Sequence, residues 1–131
     1  MSMTWSRLMS AATLGYGGYA LAEPRHLGRY LTSNEPEQAT FDVLATTYGA
    51  RDTAIGALGL FGRSEGVVTG AMLARIAFDV ADGLILSQHA EDDETRQRVL
   101  AITFGWATLN TLALLRDRRV VKKKARKAVT A

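Results

Sequence analysis

Cysteine is absent from this 131-residue chain, which excludes a disulfide framework and any thiolate-based metal or redox chemistry. Histidine is almost absent: His26 and His89 stand far apart and alone, so no metal site is expected. No Ser–His or Cys–His spacing points to a nucleophile, and the sequence names no catalytic residue and no cofactor. Strand signals are missing as well. The apolar runs are rich in Ala, Gly and Leu and lack the two-residue alternation of a half-buried strand. One further absence is informative: Val99 to Leu115 carries no charge at all. The averages, 47% hydrophobic residues and a mean hydropathy of -0.01, conceal that segregation.

What is present is a set of long apolar segments separated by short charged ones. They cover about residues 8–22, 36–62, 66–89 and 94–115, each close to the roughly 20 residues that cross a hydrocarbon core. Asn34-Glu35-Pro36 supplies a cap residue and a first-turn proline, a helix start. Gly62 to Gly66 is a tight polar break, and Glu91-Asp92-Asp93-Glu94 places acids where they suit the positive end of the fourth helix dipole. The expected fold is all-α: a four-helix transmembrane bundle over residues 1–115, followed by a short basic tail at 116–131. A soluble helical bundle is the competing architecture. Ala20-Leu21-Ala22 before Glu23 also resembles a signal-peptide cleavage site, but Gly15-Tyr-Gly-Gly-Tyr19 interrupts its apolar region. The first segment is therefore read as a retained helix.

From Arg116 to Lys127 eight basic residues face the single Asp117. A basic tail can bind nucleic acid, but no aromatic residue or RNA-binding motif accompanies this one. Its place straight after an apolar run is where the positive-inside rule puts a cytoplasmic flank. The termini are expected in the cytoplasm, with residues 23–37 and 90–98 facing outward. The expected location is the inner (plasma) membrane, crossed several times. Expected partners are the lipid bilayer and other membrane subunits or further copies of the chain, without nucleic acid.

Small residues recur at helical spacing. Gly49, Asp52, Gly56 and Gly59 share one face, as do Gly66, Gly70, Ala74, Ala77 and Ala81 in the next segment. Ala11, Gly15, Gly18 and Ala22 repeat the idea in the first segment, and Thr103, Ala107 and Asn110 give the last a mildly polar face. Such stripes let membrane helices approach closely.

Five ionisable residues interrupt the apolar segments: Arg51, Asp52, Arg75, Asp79 and Asp82. An intramembrane charge costs roughly 2.5–3.5 kcal/mol at the bilayer centre on insertion scales and marks function by default. An antiparallel hairpin closing near residues 63–66 sets Arg51 level with Asp79 and Asp52 level with Arg75. The expected pairs are Arg51–Asp79 and Asp52–Arg75, with Arg75–Asp79 at i, i+4 as the alternative. Arg51 and Asp52, adjacent in sequence, are expected to point apart. Two arginines face three aspartates, and Asp82 is the expected surplus carboxylate.

Glu23-Pro24 ahead of Leu27, the run Gly49-Ala50-Arg51-Asp52 followed by Gly56, and Asp79 with Asp82 one helix later resemble a pattern in small bacterial four-helix integral membrane proteins of uncharacterised function. The pattern is more distantly similar to the four-helix DoxX-like membrane proteins. The resemblance covers about residues 8–115 and implies a fold without a reaction. The expected function is that of an accessory or scaffold subunit of a membrane complex, with a buried Arg/Asp network between the second and third segments. A small proton-coupled carrier using an intramembrane aspartate is one alternative. An intramembrane protein or enzyme that binds lipid or quinone, with an aspartate as general acid or base, is the other.

Overall fold

The structure is a computed structural model that describes residues 2–130. It is all-helical: α1 (Thr4–Ala22), α2 (Arg25–Leu31), α3 (Glu35–Thr40), α4 (Asp42–Phe61), α5 (Glu65–Gln88) and α6 (Asp93–Thr130). The four long helices run alternately up and down. The second apolar segment is not one helix, because Phe41 separates the short α3 from α4. The connection at residues 23–37 is itself helical, as α2. The basic run is not a separate tail either: α6 continues unbroken for 38 residues, about 57 Å at 1.5 Å per residue.

Local signals set the helix limits. Asn34 accepts the Glu37 N–H at the start of α3, and Ser64 accepts the Val67 N–H at the start of α5. Asp92 accepts the Thr95 N–H at 2.7 Å, a bond that satisfies one orphan donor of α6 and holds the carboxyl below its usual pKa. The N-terminus of α1 has no such local partner, since Met3 adopts a left-handed backbone (φ 62°) and offers no side-chain cap. Asp117, far along α6, fills the role. It accepts the Ser6 N–H at 2.6 Å and the Trp5 N–H at 3.4 Å, while the Arg116 guanidinium lies over the Trp5 ring at 5.0 Å. Arg7 then donates to the Leu60 carbonyl at 2.8 Å, placing a cation at the negative end of α4.

The α4 stripe packs as its spacing predicts. Gly49, Asp52, Gly56 and Gly59 are all buried, and α1 lies directly on them. A Cβ added at Gly56 would meet the Leu14 backbone at 2.5 Å, and one added at Gly17 would meet the Thr53 nitrogen at 2.5 Å. The α1 and α5 stripes do not pack this way. Gly15, Gly18 and Gly70 have open space where a side chain would go. Instead α1 buries Ser6, Ser10, Thr13, Gly17 and Ala20, and α5 buries Val68, Ala71, Met72, Arg75, Asp79, Asp82, Gly83 and Leu86. In α6, Ala107 and Asn110 are buried and Thr103 is half-buried, as expected of that face.

Two apolar clusters lie at opposite ends of the bundle. Met3, Val68, Met72, Ala113 and Leu114 form one. Leu27, Leu31, Ala45, Tyr48, Leu86 and Val99 form the other and dock α2 across the helix ends. Arg25 pairs with Asp42 at 2.9 Å to hold that end of α2 against α4.

Large apolar side chains are mostly outside. Leu8, Leu58, Phe61, Leu73, Leu84, Leu109 and Leu112 are all exposed. Buried positions include Ser6, Ser10, Thr13, Asn110 and four of the five interrupting charges. Among the described residues one helix, α6, is long and apolar enough to cross a membrane.

Asp117 caps the first turn of α1 from α6, so Asp117→Ala should lower unfolding free energy by about 0.5–2 kcal/mol, the usual range for a lost cap. Asp117→Asn, which keeps an acceptor, should lose less. Urea or SDS unfolding followed by circular dichroism measures both, and an unchanged Asp117→Ala midpoint would refute the assignment.

Candidate functional site

The buried face of α5 carries Arg75, Asp79 and Asp82, and the buried face of α4 carries Asp52. Arg51 lies one position round α4, at the edge of that face, and is half-buried. The hairpin brings all five together. Arg75 crosses to Asp52, Nη1 to Oδ2 at 2.9 Å, as the depth argument expects, although the contact lacks hydrogen-bond alignment. Arg75 also holds Asp79 in its own helix, through Nη2–Oδ1 at 2.9 Å and Nε–Oδ2 at 3.2 Å.

Three expectations need correction. Arg51 does not pair with Asp79. It grips Asp82 through two bonds, Nη1–Oδ1 at 3.0 Å and Nη2–Oδ2 at 2.6 Å. Nor do Arg51 and Asp52 point apart, since Arg51 Nε donates to Asp52 Oδ1 at 3.1 Å. The guanidinium is long enough to turn back over its own backbone, which a comparison of Cα directions misses. Asp82 is therefore not the carboxylate without a cation. The five groups form one chain, Asp82–Arg51–Asp52–Arg75–Asp79, in which each arginine bridges two carboxylates. The deficit of one positive charge belongs to the whole chain.

Arg51 reaches this position between two rings. Its guanidinium carbon lies 4.5 Å from the Tyr48 centroid and 4.5 Å from the Phe78 centroid, a cation–π sandwich that offsets lost hydration.

Beside the charge chain is a cavity of about 420 Å³, within the size range of small-molecule sites. Asp52, Arg75, Asp79 and Asp82 contribute to its wall. Tyr16 and Tyr19 line it from α1, His26 and Tyr30 from α2, Tyr48 from α4 and Trp106 from α6. The remaining lining is chiefly apolar, including Leu27, Leu86, Val99 and Ile102. His26 is fixed at the α1–α2 corner: its Nδ1 lies 2.6 Å from the Glu23 carbonyl, and its Nε2 lies 3.0 Å from the Tyr16 hydroxyl. The Tyr16 and Tyr19 rings pack against it at 5.6 and 5.0 Å.

Tyr16, Tyr19, Tyr30 and Trp106 lie in separate stretches of sequence and carry no ligand motif, so patterning alone does not reveal the cavity. One signal was available. Tyr48 lies one turn before Asp52, and Tyr16 and Tyr19 are three apart, so each set shares a helix face. His89 takes no part: it closes α5 and packs edge-on against Phe41 at 5.8 Å. Trp5 lies beneath Arg116 rather than at the cavity.

No family model, curated protein or solved structure matches this chain. The site is therefore read from its own chemistry. Among the described residues no group of three or more His, Asp or Glu side chains is placed to hold a metal ion. The arrangement presents carboxylates, a guanidinium and aromatic rings to a half-open, largely apolar space.

Removing one arginine strands buried carboxylates, so Arg75→Met should cost about 3–5 kcal/mol, the range for a broken buried ion pair. Adding Asp79→Asn should recover part of that loss. A double-mutant cycle on unfolding midpoints reads the coupling, and strictly additive losses would show that the pair is not a unit.

Proposed function

We propose that this protein is a small multi-pass protein of the inner (plasma) membrane that binds a small organic molecule in the cavity beside its Arg/Asp chain. The single observation that carries the reading is the cavity itself, about 420 Å³ and walled by three carboxylates, one guanidinium and six aromatic or imidazole side chains. Sites of this make-up, mostly apolar with a few convergent polar groups, bind small molecules. The role is binding, with no catalytic step assigned. The carrier alternative draws on the same residues, because the carboxylates face a space that a substrate could occupy. The accessory-subunit reading draws on the apolar exterior, but it leaves the cavity without a use.

Two features support the membrane. Many large apolar side chains face outward along the long helices, while charged and hydroxyl side chains are buried between the two apolar end clusters, an exterior that suits a lipid surround. Charge is also sorted along the axis. Outside the five-residue chain, the end with Arg7, Arg63 and the basic part of α6 holds ten basic residues against two acidic ones. The opposite end, from Glu23 to Asp42 and from Glu91 to Arg98, holds eight acidic residues against four basic ones. The positive-inside rule sets the basic end, with both termini, in the cytoplasm. The four-helix resemblance at Gly49 to Asp52 agrees with this reading. Hydropathy finds only α6: the buried charges of α4 and α5 count against them although they face inward, and α1 is rich in Gly, Ser and Tyr.

The absence of native cysteine makes the topology directly testable. In intact cells Glu35→Cys should react with a membrane-impermeant maleimide, whereas Arg63→Cys and Thr130→Cys should react only after permeabilisation. Equal labelling of all three, or extraction of the protein by carbonate, would overturn the membrane reading.

A further inference from the structure

The cavity does not see all five charges. Its wall includes Asp52, Asp79, Asp82 and Arg75, while Arg51 is held between the Tyr48 and Phe78 rings. The wall therefore presents three carboxylates and one guanidinium, and even with Arg51 the chain keeps one surplus negative charge. In an interior of low dielectric that surplus attracts a cation strongly and repels an anion. The rest of the wall would accommodate a cation that is not small and hydrated. Aromatic faces attract organic cations through their quadrupoles, most strongly when desolvated, and the Tyr16, Tyr19 and Trp106 rings stand on the side of the cavity made by α1 and α6. A second observation also points to an occupant. The Tyr30 hydroxyl is buried without an aligned hydrogen-bond partner, and the hydroxyl of Tyr48, 7% exposed, has only the Asp82 carboxylate beside it. Both residues line the same space.

We infer that the ligand is a hydrophobic organic cation, an ammonium bearing an aryl or alkyl body, whose charge completes the Asp82–Arg51–Asp52–Arg75–Asp79 chain while its body lies among the rings. This rests on the binding function proposed above and names its ligand class. A neutral molecule would fill the space but leave the surplus charge uncompensated, and an anion would add to it. Asp79 and Asp82 end the chain, each engaged by one arginine rather than two, so their remaining lone pairs are the ones left for the ammonium. Asp52, gripped by both arginines, positions the other groups.

The test uses isosteres that differ only in charge. Full-length protein carrying Trp5→Phe, in mild detergent, leaves Trp106 as its one tryptophan, in the cavity wall. Phenyltrimethylammonium should change Trp106 fluorescence and bind at least tenfold tighter than tert-butylbenzene, its neutral isostere, and benzenesulfonate should not compete. Asp79→Asn should abolish the preference for charge. Ala12→Lys, which adds an ammonium at the cavity wall without touching the ion-pair chain, should block phenyltrimethylammonium while sparing tert-butylbenzene, and it serves as the test should Asp79→Asn fail to fold. Tighter or equal binding of tert-butylbenzene, or displacement by benzenesulfonate, would overturn the cation assignment and leave the binding function standing. Failure of all three probes to bind would overturn both.

Discussion

The structure depends on how five charges are taken out of water together. Each of them alone would be costly to bury, and no arginine in the group could relieve the cost by losing its proton. The solution is alternation. Carboxylate and guanidinium follow one another from Asp82 to Asp79, and every link but the crossing from Arg75 to Asp52 contains an aligned hydrogen bond. Because α4 supplies Arg51 and Asp52 and α5 supplies the rest, the chain can form only at one register of the hairpin. Buried ion pairs are weak evidence of stability but good candidates for fixing register, and here two crossings, Arg51–Asp82 and Arg75–Asp52, define both depth and rotation.

The remaining packing accommodates that constraint. With α4 turned so that Asp52 faces inward, Gly49, Gly56 and Gly59 face inward with it, and their small size lets α1 approach backbone to backbone. The polar groups of α1 that come with this face, Ser6, Ser10 and Thr13, are buried in consequence. Many large side chains, Leu8, Leu58, Leu73 and Leu109 among them, are displaced outward. The cavity lies where this close packing stops, between the α1 and α6 walls, because the bulky rings of Tyr16 and Trp106 cannot interdigitate as the glycines do.

Much of this was legible in the sequence, for identifiable reasons. Helix starts at Asn34, Ser64 and Asp92 carry local capping chemistry. The α4 stripe is unambiguous because its glycines and Asp52 agree on one face, and the crossing of Asp52 with Arg75 follows from helix rise alone. Other features were not legible. In α1 and α5 several stripes of small residues compete, and only contacts with distant residues choose among them. Thus Gly17 is selected over Gly15 and Gly18 by Gly49 and Thr53. The pairing of Arg51 with its neighbour Asp52 depends on side-chain reach, which periodicity does not encode. Asp117 reads as one acid in a basic run, and its capping of α1 joins residues 111 positions apart. The cavity is a property of four helix faces and α2 at once.

The length of α6 has a mechanical consequence. The helix carries Val99, Ile102, Thr103 and Trp106 in the cavity wall and continues without a break to Thr130. Asp117, tied to the first turn of α1, lies between these two stretches, about 17 Å from Trp106 and about 20 Å from Thr130 by helix rise. A continuous helix pinned near such a point is a lever with nearly equal arms. Any outward tilt of the cavity wall would be returned as a swing of similar size, in the opposite sense, at the lysine-rich end.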